Sequence, residues 1–164
     1  GAEEVLRRRG LAAQLVVVGD GPYLGEMSRV LAGGNVAFVG FRHGAELSAI
    51  YATGDLFVFP SVTDTLGQVV MEAQASGMPV LVSDRGGPRS MIVEGATGEV
   101  LPGGDDSAWA RAIVEMVSDG EKRRRMGRAA HEHMQRYSFE ASFEDFWGVH
   151  ERAVEDHRNA AAGV

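Results

Sequence analysis

The sequence predicts an α/β fold: a doubly wound, Rossmann-like parallel sheet with helices on both faces, ending in a helical C-terminal segment. Two observations predict it. Short runs rich in Val, Leu and Phe alternate with helical stretches from residue 3 to residue 101. After Pro102 the strand-like runs stop and only helical stretches follow.

A first helix is expected over 3–9 and a first strand over 15–18. Further strands are expected over 36–39, 56–59, 80–82 and 99–101. Several of these runs are nearly continuous in apolar residues, as suits strands covered on both faces. Helices fall between them, over 23–31, 45–53, 67–76 and 89–94. The C-terminal part holds helices over 107–118, with Asp106 as N-cap, over 121–136, and over 139–158, with Ser138 as cap. Residues 159–164 are expected to fray. There is no internal repeat and no dividing linker, so 1–164 reads as one domain, an α/β core over 15–102 followed by helices over 106–158.

Composition excludes several classes. The net charge of −7 argues against nucleic acid or an anionic membrane as partner. There is no cysteine, hence no disulfide framework and no thiolate metal site. No apolar run approaches the roughly 20 residues of a membrane helix, so no transmembrane segment is expected. Residues 1–10 are polar and charged, unlike a signal peptide. The chain opens Gly1-Ala2-Glu3 without an initiator methionine, and the expectation is a fragment of a longer protein. Lys122 is the only lysine.

In open α/β sheets, ligands bind beyond the carboxyl ends of the strands. Those ends here carry Gly19-Asp20-Gly21-Pro22, Gly40-Phe41-Arg42-His43, the stretch from Pro60 to Gly67, and Ser83-Asp84-Arg85-Gly86-Gly87-Pro88. The most informative stretch runs from Pro60 to Ala73. Asp64 lies in a loop, Gly67 near a helix start, and Glu72 within the helix. Carboxylates accept hydrogen bonds from sugar hydroxyls, and free helix-start amides favour anions. Gly67 lets a ligand approach the backbone closely. A helix-start acid and a surface acid explain the same two carboxylates.

Gly19-Asp20-Gly21 falls short of a dinucleotide fingerprint, because position 24 is Leu24 rather than glycine or alanine. A tight turn explains it equally well. Gly86-Gly87-Pro88-Arg89 can present amides to an anion, with Arg89 reaching a phosphate; a structural turn is the alternative. His131-Glu132-His133 reads as a solvated face, since residues two apart on a helix do not face together. Lys122-Arg123-Arg124-Arg125 reads likewise.

These residues resemble, in order, the C-terminal donor-binding domain of retaining glycosyltransferases with the two-domain B-type (GT-B) fold, in the large group of bacterial mannosyl- and glucosyltransferases and sucrose synthase. The matching pieces are Val18-Gly19-Asp20-Gly21-Pro22, Val36 to Phe41, Tyr51 to Pro60, Asp64 to Ala73, Ser76 to Val80, Gly86 to Arg89, Gly95 to Gly98, Arg125-Met126-Gly127 and Tyr137-Ser138-Phe139.

The resemblance implies transfer of a hexose from a nucleoside-diphosphate sugar to an acceptor hydroxyl. The donor would be GDP-mannose or UDP-glucose, with no cofactor and no metal. It implies Asp64 as the catalytic contact to the transferred sugar and Glu72 as the holder of the ribose hydroxyls. Thr65, Leu66 and Gly67 would offer amides around sugar and phosphate. Gly19, Gly21, Phe41, Arg42 and Gly87 complete the implied donor site. Two departures stand out. The first acid of the pair is usually Glu, and Ser90 stands where many members have an acid. The family's strand and loop with a clamping Arg and Lys, and its acceptor-binding N-terminal domain, would precede this chain. The fragment alone is therefore expected to be inactive, and the parent to be cytoplasmic, at most at the inner face of the membrane. A nonenzymatic nucleotide-sugar-binding module, or an epimerase or phosphorylase on the same fold, remains the alternative.

Overall fold

A computed structural model describes residues 2–162. The element order is α1 (Ala2–Arg8), β1 (Leu15–Val18), α2 (Leu24–Val30), β2 (Val36–Gly40), α3 (Gly44–Thr53), β3 (Phe57–Phe59), α4 (Gln68–Ala75), β4 (Val80–Ser83), a 3₁₀ turn (Pro88–Met91), β5 (Gly98–Leu101), α5 (Asp106–Ser118), α6 (Gly120–Met134), a 3₁₀ turn (Gln135–Tyr137) and α7 (Phe139–Ala162).

All strand pairs are parallel. β4 lies at the centre of a three-stranded sheet, with β3 and β5 on either side. Its four residues are all buried. Alternation divides them between two cores. Val80 and Val82 face a cluster with Tyr51, Val70, Ala73 and Met78, so α3 and α4 cover that side. Leu81 faces Ala112, Met116 and Met126, so α5 and α6 cover the other. This is the expected doubly wound arrangement, with helices on both faces.

β1 and β2 form a separate two-stranded sheet, although one sheet was expected. Among the described residues β1 pairs only with β2 and β3 only with β4. The run Leu15–Val18 is as apolar as β4, yet Leu15, Val16 and Val18 are 46%, 41% and 39% exposed. Helix α2 buries no residue. Apolar sequence makes a strand here, but only covering helices make it a core strand.

The expected helix over 89–94 is instead the 3₁₀ turn Pro88–Met91. Side chains outside the segment claim its backbone: Gln74 Nε2 donates to the Met91 carbonyl, and the Val93 amide donates to Thr97 Oγ1. The N-cap of α5 is Asp105, one residue before the expected Asp106, and its Oδ1 accepts from the Ala108 amide. Ser138 caps α7 as expected, accepting from the Ala141 amide at 3.1 Å. α7 continues to Ala162 rather than fraying from 159; residues 163 and 164 lie outside the described residues. No helix among the described residues is long and apolar enough to cross a membrane.

Candidate functional site

The loop after β3 turns into α4 through Gly67, whose φ of 77° lies in the left-handed region that glycine adopts freely. Asp64 organises this turn. Its Oδ1 accepts from the amides of Leu66 at 3.0 Å and Gly67 at 2.5 Å, which places a carboxylate at the positive end of α4. Two of the three amides expected to face a donor are therefore already engaged. A phosphate that takes them must displace Asp64 Oδ1. The second oxygen, Oδ2, accepts no hydrogen bond among the described residues. Thr65 and Leu66 are exposed at the tip.

Gly86 and Gly87 support this loop from below. The Gly87 amide donates to the Asp64 carbonyl at 2.9 Å. A Cβ on Gly87 would collide with the Thr65 carbonyl, and one on Gly86 would lie 2.7 Å from the Asp64 carbonyl. Pro88 closes on Gly67, whose added Cβ would meet Pro88 Cα at 2.9 Å. The Gly87 amide, expected to face a donor anion, is thus held by the loop's own backbone. Arg89 Nη1 donates to the Asp84 carbonyl at 3.1 Å and its side chain remains exposed.

Glu72 sits on α4 beside the buried Ala73 and Gln74, and is itself half-buried. Its Oε2 accepts from the Tyr51 hydroxyl at 3.1 Å. No cation pairs with it among the described residues, and Oε1 accepts no hydrogen bond there. A half-buried carboxylate with an open oxygen suits a hydroxyl-bearing ligand. Sequence reasoning did not single out Tyr51. Its signal was available: a residue with a polar tip on the α3 face that carries Leu47 into the core.

Four further residues expected at the donor site, Gly19, Gly21, Phe41 and Arg42, lie in the loops that follow β1 and β2. The Gly19 amide donates to the Gly40 carbonyl at 2.9 Å, so these strand ends adjoin. The Gly21 amide is taken by Asp20 Oδ1 at 2.7 Å. Phe41 is 70% exposed, as suits a ring that stacks on a planar ligand. Arg42 folds back, donating to the Phe41 carbonyl and facing Glu46 at 3.7 Å. Helix α3 follows this loop and packs through Leu47 and Tyr51 on the α4 core.

The charged run of α6 is not wholly a solvated face. Lys122 Nζ lies 2.6 Å from both Glu99 and Glu115. Arg123 Nη1 donates to the Met116 and Val117 carbonyls at the end of α5. Only Arg124 and Arg125 of the run are exposed. His131 and His133 have separate surroundings, the Ala75 carbonyl and the Tyr137 ring.

The family model for glycosyl transferases group 1 matches residues 2–133. The chain belongs to this family. Within this glycosyltransferase family it is 38% identical over 133 residues to the sulfoquinovosyl transferase SQD2 of Arabidopsis thaliana, covering 79% of this chain and 26% of that protein. Among solved structures it is similar to sucrose-phosphate synthase from Thermosynechococcus elongatus, with a TM-score of 0.76 and 25% identity over 95% of this chain and 43% of that one. It is also similar to HepE of Anabaena in complex with UDP-glucose, with a TM-score of 0.68 and 25% identity over 75% of this chain and 36% of that one. The fold of this group 1 glycosyltransferase chain is thus the GT-B type expected. The chain spans about a quarter of the length of the curated relative and less than half of each solved neighbour.

Proposed function

We propose that this chain is the nucleotide-sugar-binding part of a glycosyltransferase that moves a hexose, with retention, from a nucleoside-diphosphate sugar to an acceptor hydroxyl. The carrying observation is the pair of half-buried carboxylates on one loop–helix unit. Asp64 and Glu72 each commit one oxygen internally and leave the other open. In this reading Glu72 holds the ribose hydroxyls and Asp64 turns to the transferred sugar. The Leu66 and Gly67 amides then pass from Asp64 to the diphosphate or sugar, where aimed donors stabilise the charge that builds as the leaving group departs. Phe41 lies beside the base.

UDP-glucose is the first donor to test, because the HepE neighbour is described in complex with it; GDP-mannose is the second. Binding is taken to need no divalent metal, as in the family the sequence resembles. The experiment is a thermal-shift screen of the full-length protein against nucleotide sugars, with and without EDTA, followed by NMR of the product's anomeric carbon. A donor-specific shift and a retained configuration are expected. An inverted product, or no shift with any nucleotide sugar, overturns the reading.

A further inference from the structure

We infer that Tyr51 is a positioning residue for Glu72: its hydroxyl fixes one carboxylate oxygen so that the other is aimed at the donor's ribose. The inference rests on the reading of Glu72 proposed above and adds a residue on a different helix to that site.

The geometry comes from the core. Tyr51 is 8% exposed, and its ring packs beside Phe57 at a centroid separation of 5.9 Å. The ring is anchored on the side of the sheet that α3 and α4 cover. Among the described residues its hydroxyl meets two acceptors, Glu72 Oε2 at 3.1 Å and the Val69 carbonyl at 3.5 Å. The shorter contact, to a carboxylate, is the stronger one. Burial, and then the hydrogen bond and charge of Glu72, raise the Tyr51 pKa well above its usual value, so the hydroxyl stays protonated as a donor. A free glutamate on an exposed helix face samples several rotamers. Here one oxygen is tied to a ring that cannot move without opening the core. The remaining oxygen is held in advance for a ligand, which lowers the ordering cost of binding. Helix α3 starts directly after the Phe41–Arg42 loop. The same helix therefore links the loop proposed for the base to the carboxylate proposed for the ribose.

The test uses UDP and 2′,3′-dideoxy-UDP as probes, titrated calorimetrically into the full-length protein carrying Tyr51→Phe, Glu72→Gln or both. Wild type should prefer UDP to the dideoxy analogue. Tyr51→Phe keeps the ring packing and should lose about tenfold in affinity for UDP, with little change for the analogue. Adding it to Glu72→Gln should cost nothing further. A purely structural role would weaken both ligands equally, in both backgrounds, and that result overturns the inference. If Glu72→Gln erases the ribose preference while Tyr51→Phe keeps it, the Tyr51 inference fails and the Glu72 reading stands. If Glu72→Gln itself keeps the preference, the reading of Glu72 fails, and the inference falls with it.

Discussion

The backbone of Gly87 lies directly against that of Thr65, and no side chain fits between them. Gly87 has a φ of −76°, so space rather than backbone conformation demands glycine here. Gly87→Ala should push the Asp64–Gly67 loop away and cost about 1–3 kcal/mol, as overpacking does. Chemical denaturation would measure this loss, and UDP-glucose affinity should fall with it. An alanine variant of wild-type stability would show that the loop does not rest on this glycine.

Gly127 lies where α6 meets the turn after α4, and an added Cβ would collide with the Gly77 carbonyl. Two effects oppose each other. Alanine in a helix interior gains about 1 kcal/mol over glycine, whereas forced backbone separation costs about 1–3 kcal/mol. Gly127→Ala is expected to be destabilising on balance, because the obstacle is backbone and cannot rotate away. A raised melting temperature would contradict the close α4–α6 contact.

Lys122 joins β5, α5 and α6 through Glu99 and Glu115. Its pKa is raised by the hydrogen bonds to Glu115 and Glu99, against a smaller lowering by burial. A raised lysine pKa contributes stability that is fully present below the unfolded value, about 10.5, and is lost as pH rises through the folded value. Lys122→Met should therefore cost about 1–2 kcal/mol at neutral pH. The gap to wild type should hold steady from pH 7 to 9 and shrink above roughly pH 10.5. Urea melts across that range check it; a gap that widens in alkali would refute the pairing.

Asp64 has a structural task alongside its proposed chemical one. Asp64→Ala removes the acceptor for two amides and should cost about 0.5–2 kcal/mol. Asp64→Asn keeps an acceptor oxygen and should retain most of that stability while sugar transfer by the full-length protein falls. Equal loss of transfer and of stability in both variants would reduce Asp64 to a residue that holds the turn before α4.

Local signals in the sequence located most elements. Val80–Val82 is continuously apolar, and the strand it forms is buried throughout. Ser138 precedes a helical pattern and caps it. What was not legible depends on partners outside the segment itself. The equally apolar Leu15–Val18 is exposed because nothing in its own sequence supplies a cover. The 89–94 segment reads as helix until Gln74 and Thr97 claim its backbone. The placing of Asp64 in a loop, Gly67 at the turn and Glu72 within the following helix was legible locally. Tyr51 was not, since its partner lies 21 residues away. Lys122 and Arg123 read as solvated charge because their acceptors come from β5 and α5.

The proposed contact of Glu72 with the donor is tested most directly by calorimetric titration of UDP-glucose into wild-type and Glu72→Gln full-length protein. The variant nearly preserves side-chain shape and removes the charge. A rise in Kd of about tenfold or more, at unchanged melting temperature, is predicted. Equal dissociation constants would contradict the account.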